Sequence, residues 1–158
     1  MLPPLNEYGL LPPGIHDATL QEIEERFVPA HSTQRRKLFA DLREFVESLW
    51  KTNGAILVII DGSFVMPQVD GDLGPSDIDL MLVLPANWNF NSVLRPHEYN
   101  LLSRFRVRKR RHFHQFVVAA GSDDETRTID FFSQVNPKWR PVLSLPPELH
   151  KGIVKVTP

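Results

Sequence analysis

Apolar positions recur along this chain in two rhythms, and the change of rhythm divides it into elements. Leu38, Leu42, Phe45 and Leu49 fall at helical spacing, and Phe39, Val46 and Trp50 widen the stripe. That period predicts a long amphipathic helix starting near Ser32, with Gly54 as its C-cap. The stripe reads as core packing rather than as a face for a partner. Upstream, Thr19 with Glu22 three residues later is a capping-box pattern, predicting a shorter helix to about Phe27, where Pro29 prevents continuation. Two continuous apolar runs, AILVIID at 55–61 and IDLMLVL at 78–84, predict strands buried on both faces. Between them Gly62-Ser63-Phe64-Val65 is expected to begin a short helix, and 68–76 to be a loop. Further along, the pattern predicts a short helix at 96–103, a strand at 113–120 and a final strand at 153–156. Residues 123–135 read as a helix, although 128–132 alone would pass for a strand. The sum is an α/β (α+β) chain, a small mixed sheet with flanking helices.

Prolines alter that picture at the N-terminus. Pro3-Pro4 and Pro12-Pro13 make residues 1–16 read as an extended, irregular arm ahead of a single domain at 17–158. A chain of 158 residues is large enough to bury a core. Its formal net charge of −1 exerts no global pull on nucleic acid or membrane, so such affinity has to come from a local patch. With no cysteine, disulfides and cysteine-ligated zinc or iron–sulfur sites are excluded. No apolar run approaches the ~18 residues that span a bilayer, and no basic-then-apolar leader is present. The expectation is a cytoplasmic protein with no membrane partner.

The chemistry concentrates between the two apolar runs. Thirteen residues separate Ser63 from Asp77, and Asp77-Ile78-Asp79 opens the second run. Residues i and i+2 of a strand share a face, so Asp77 and Asp79 project together while Ile78, Leu80 and Leu82 turn away. Magnesium is usually held by one or two carboxylates plus substrate phosphates. Two metals ~4 Å apart can clamp both oxygens of a phosphoryl displacement. Glycine at 62 lets the backbone approach a phosphate closely, and the Ser63 hydroxyl can donate to one. A calcium loop starting at Asp70 fails, because Gly74 and Pro75 fall where a ligand and the turn glycine belong. Phosphate loops of the Walker type, dinucleotide fingerprints and Gly-x-Ser-x-Gly elbows are absent, which leaves kinase, dehydrogenase and hydrolase readings unsupported.

The Gly62-Ser63 and Asp77-x-Asp79 pair resembles the signature of the nucleotidyltransferase superfamily. Beyond it, LPPGIHDATLQEIEERF, a basic helix, DGSFV, DIDLMLVLP and the tail KGIVKV look like a bacterial family of small nucleotidyltransferase-like proteins. The resemblance spans most of the chain. It implies a polymerase-beta-like nucleotidyltransferase fold, with relatives among antibiotic-modifying transferases and the minimal transferases of toxin–antitoxin modules. It implies transfer of a nucleoside monophosphate from a nucleoside triphosphate to a hydroxyl of RNA, protein or a small molecule. Magnesium or manganese would be held by Asp77 and Asp79, with Gly62 and Ser63 at the phosphates. Complete members of the superfamily carry a third carboxylate on a later strand. Here His114 stands at the expected place, and Asp130 substitutes only if 128–132 is a strand.

Local charge adds a last candidate. Arg104, Arg106, Arg108, Lys109, Arg110 and Arg111 fall within eight residues. Arg108 and Arg110 are read as contacts to nucleotide or to an RNA acceptor, against the plainer reading of a solvated face balanced by Asp123, Asp124 and Glu125. His112 and His114 form a His-x-His pair without a further ligand cluster, so a zinc site is disfavoured. Two other function classes stay open. One is a catalytically degenerate module that grips a protein partner, antitoxin-like, through the N-terminal arm. The other is an RNA-binding protein that uses the basic run alone.

Overall fold

The computed structural model describes residues 1–52, 56–67 and 75–158. It is a mixed α+β structure. Along the chain come β1 (Gly14–Thr19), α1 (Leu20–Phe27), α2 (Thr33–Thr52), β2 (Leu57–Asp61), a 3₁₀ turn (Ser63–Val65) and β3 (Ile78–Leu84). They are followed by α3 (Pro96–Leu102), α4 (Arg104–Arg111), β4 (Phe113–Ala119), α5 (Asp123–Ser133) and β5 (Gly152–Thr157). The sheet order is β1-β5-β2-β3-β4. Its two inner junctions, β5 with β2 and β2 with β3, are antiparallel, and both edge strands pair in parallel.

Burial on both faces explains why the inner strands are continuous apolar runs. Val58, Ile60, Leu80 and Leu82 pack with Ile23 and Phe27 of α1, with the α2 stripe and with Val107 of α4. Ile59, Met81, Val83 and Ile153 turn the other way, onto Phe132 of α5. α2 buries Leu38, Phe39, Leu42, Phe45, Val46 and Leu49, so its aromatic stripe is core. The Thr19 capping box of α1 forms as the sequence predicts, with Glu22 N–H donating to the Thr19 hydroxyl at 3.2 Å and Glu22 accepting from Thr19 N–H at 2.9 Å.

Several points of the sequence reading need correction or fall elsewhere. The N-terminal arm is not a free extension. Residues 14–16 belong to β1, an edge strand in register with β5, and Leu2, Leu10 and Leu11 are buried. The prolines keep residues 1–13 out of regular structure, but the leucines between them carry enough apolar surface to pin the segment down. The basic run forms helix α4, which apolar periodicity did not signal because Val107 is its one buried residue. The expected cap Gly54 and the greater part of the 68–76 loop lie outside the described residues. No helix among the described residues is long and apolar enough to cross a membrane.

The packed arm makes a simple prediction. Leu11 is 1 % exposed, so Leu11→Ala should cost about 2–5 kcal/mol of unfolding free energy. Urea denaturation measures it, and an unchanged midpoint would mean that the arm contributes nothing to the core.

Candidate functional site

The β2–β3–β4 register builds the site. Asp61 pairs with Asp79 across the antiparallel junction, and Asp79 pairs with His114 across the parallel one. Ile59, Met81 and Val118 mark the face toward α5. Asp61, Asp79 and His114 sit at even offsets from them along their strands, so they share that face. Asp77, two residues before Asp79, joins them just ahead of β3. The row ends at the sheet margin, beside a cavity of about 290 Å³ lined by Asp61, Gly62, Ser63, Asp77, Asp79, His114 and Lys151. The rest of its wall includes the end of α5 and the turns after it, among them Phe131, Gln134, Asn136 and Trp139.

The turn between Asp61 and the 3₁₀ segment comes close to the carboxylates for a definite reason. Gly62 has φ +82°, and a Cβ there would collide with Asp79 Oδ2. Any other residue would meet both a disfavoured backbone conformation and a collision. Arg35, fully buried on α2, holds this turn from beneath. Its guanidinium donates to the carbonyls of Ser63 at 3.0 Å and Phe27 at 2.9 Å, and also to that of Phe64.

Electrostatics favour a cation at the row. Burial and the negative charge of Asp77 raise the pKa of Asp79, opposed by His114 and Lys151. His114 Nδ1 lies 3.3 Å from Asp79 Oδ1, with both side chains partly exposed. Asp61 is pushed up to about 6 by burial, with Lys151 opposing and Asp79 adding to the rise. The Lys151 ammonium is itself buried; it donates to Asp61 and to the Phe132 carbonyl at 2.7 Å. Among the described residues no group of three or more His, Asp or Glu forms a ready-made metal cage. Two hard oxygen ligands in mutual repulsion nevertheless fit magnesium or manganese, which draw their remaining ligands from water and phosphate.

The residues singled out in the sequence divide cleanly. Gly62, Ser63, Asp77, Asp79 and His114 come together at one cavity. Arg108 reaches a neighbouring cavity of about 220 Å³, lined also by Ser76, Asp77, His112 and His114. Arg110 is exposed on α4 and lines neither. Asp130 does not supply the third carboxylate: 123–133 is a helix, and Asp130 is exposed on it, away from both cavities. His112 closes α4 in the left-handed conformation at φ 57°, so His112 and His114 do not project from one strand. The remaining arginines of the run are partly spoken for. Arg111 pairs with Glu44 at 2.9 Å, and Arg104 and Arg106 lie over the rings of Phe116 and Tyr99.

Sequence reasoning missed Asp61 and Lys151. Asp61 was visible as a carboxylate ending an apolar run, a place where a strand delivers its last side chain to a sheet margin. Nothing local distinguishes Lys151, because its partner is 90 residues away.

Two outcomes test this geometry. Gly62→Ala should either displace Asp79 or destabilise the fold by about 1–3 kcal/mol; an unperturbed Asp79 carboxyl resonance together with wild-type stability would contradict the close approach. The Asp61 carboxyl is harder to ionise in the folded protein than in the unfolded chain. Its contribution to stability is therefore complete below the unfolded value near 3.8 and is lost as pH rises through about 6. Relative to Asp61→Asn, wild-type Tm should fall across that window, and a pH-independent difference would argue against the assignment.

Comparison with known proteins adds one relationship. No curated protein and no solved structure matches the chain. Residues 3–157 match DUF6932, a family of unknown function, and the chain belongs to that family.

Proposed function

We propose that this chain is a divalent-metal-dependent nucleotidyltransferase of polymerase-beta-like type, acting in a reducing compartment such as the cytoplasm. The observation that carries the reading is the pairing of Asp77 and Asp79 with a glycine turn so close that a Cβ would strike Asp79. That combination sets two carboxylates beside a glycine–serine turn, all lining one cavity.

The residues then divide the work. Asp77 and Asp79 hold magnesium or manganese, which when bound neutralises phosphate charge. The Gly62–Ser63 turn seats the phosphates, with the Ser63 hydroxyl as donor. An acceptor hydroxyl attacks the α-phosphorus of a nucleoside triphosphate; the new O–P bond forms as the bond to pyrophosphate breaks. His114 takes the hydroxyl proton. Donation from Nδ1–H to Asp79 leaves Nε2 as the basic nitrogen, and the ring is partly open to solvent. Arg108 lines a second cavity together with Asp77 and His114, and in this reading it contacts the acceptor. Charge neutralisation and in-line positioning are most of what such a transfer asks of a protein.

One observation favours a second reading, a nucleotide-binding module without turnover that serves a protein partner, as an antitoxin serves a toxin. His114 pairs with Asp79 across the β3–β4 junction and lies 3.3 Å from it, where the resemblance calls for a third carboxylate instead. The packed N-terminus gives this reading no help, since it is not a free arm.

Calorimetry with each nucleoside triphosphate and magnesium tests the site. Wild type should bind at least one of them, and Asp77→Asn/Asp79→Asn should weaken that binding tenfold or more with its fold intact. His114→Ala separates the two readings. Retained binding with transfer of labelled nucleotide abolished supports catalysis, whereas binding with no transfer by wild type to RNA, protein or small-molecule hydroxyls supports the module. A wild type that binds no nucleotide rules out both.

A further inference from the structure

Part of the cavity wall is aromatic, and the phosphate chemistry just described makes no use of it. Phe131 lines the cavity with 61 % of its surface exposed. It is held there by the rings of Phe116 and Phe132, at centroid separations of 6.1 and 6.2 Å. Trp139 lines the same wall and is partly buried against the cluster of Leu10, Met66 and Val135. Solvent exposure of a large ring is unfavourable, and a ring fixed from behind cannot collapse to hide it. Gln134 and Asn136, between the two rings in sequence, add amide groups to the same wall.

The position of this wall decides what it suits. A ligand whose phosphates lie at Gly62–Ser63 has a cavity of about 290 Å³ between that turn and the rings. A planar group with apolar faces and a polar rim matches rings flanked by amides. The geometry points to Phe131 as the stacking platform for the nucleobase of the bound nucleotide, with Trp139, which carries the Lys138 ammonium over its ring at 4.7 Å, beside it. The Gln134 amide and the Asn136 NH2, whose carbonyl oxygen accepts from Lys138 N–H, lie at the base's hydrogen-bonding edge. The inference rests on the nucleotide reading above and adds to it where the base sits and what holds it. Stacking on aromatic side chains is tolerant of base identity, so any selectivity falls to the amides. The wall also gives the N-terminal segment a role, because Leu10 packs beneath the turns that carry Trp139.

Comparing a nucleoside triphosphate with inorganic tripolyphosphate isolates the base. Both are titrated by calorimetry with magnesium into wild type, Phe131→Ala and Trp139→Phe. Phe131 is largely solvent-exposed, so its truncation leaves the fold intact, and Trp139→Phe keeps a ring in the cluster. Wild type should prefer the nucleotide by about tenfold or more. Phe131→Ala should lose most of that preference while binding tripolyphosphate unchanged, and Trp139→Phe should lose part of it. A nucleotide preference that survives Phe131→Ala undiminished overturns the base subsite and leaves the nucleotidyltransferase reading standing. Equal wild-type affinity for the two ligands does the same. Failure of wild type to bind either ligand removes the reading and the subsite together.

Discussion

The register between β2 and β3 is the constraint on which the rest of the site depends. It sets Asp61 opposite Asp79, and the β3–β4 register then sets His114 beside Asp79. A slip of one residue in either junction would rotate these side chains to the other face and expose apolar ones. Both faces of the inner strands are buried, so such a slip would empty two cores at once. The apolar residues thus fix the positions of the polar ones, although they never touch a ligand.

Carboxylates gathered in a partly desolvated row repel one another, and two buried cations manage the consequences from opposite sides of the sheet. Lys151, on the α5 face, neutralises Asp61 and caps the Phe132 carbonyl. Arg35, on the α2 face, takes up carbonyl groups of the turn that follows Asp61. Buried charge is costly unless it is paired and hydrogen-bonded, and both groups meet that condition. The turn is therefore held by Arg35 from the α2 face, while Lys151 holds the Asp61 carboxylate that precedes it from the other.

Much of this was legible in the sequence because it depends on local chemistry. The Thr19 cap, the α2 stripe, the two apolar strands and the paired aspartates all declare themselves within a few residues. Helix α4 did not, because Val107 is its single buried anchor and the arginines around it carry no period. The N-terminal segment misled for a related reason: paired prolines forbid regular structure but say nothing about burial, which Leu2, Leu10 and Leu11 decide. The 123–135 stretch reads as a helix and is one, because Phe132 has a face of the sheet to cover; the strand alternative that would have made Asp130 a third carboxylate falls with it. Lys151 and the ring wall lay beyond local reasoning altogether, since long-range packing gives each its meaning.

The place of β5 in the sheet has a consequence for the order of assembly. Gly152–Thr157 is not an edge addition; it lies between β1, near the start of the sequence, and β2 in the middle. A nascent chain that has not yet reached residue 151 has no strand to join β1 to the remainder of the sheet and no counter-ion for Asp61. Contacts closed over such distances in sequence form late, after local helices and the β2–β3 pair. The carboxylates of β2 and β3 are neighbours early in the sequence, yet the lysine that neutralises Asp61 arrives only with the strand that joins β1 to the rest of the sheet.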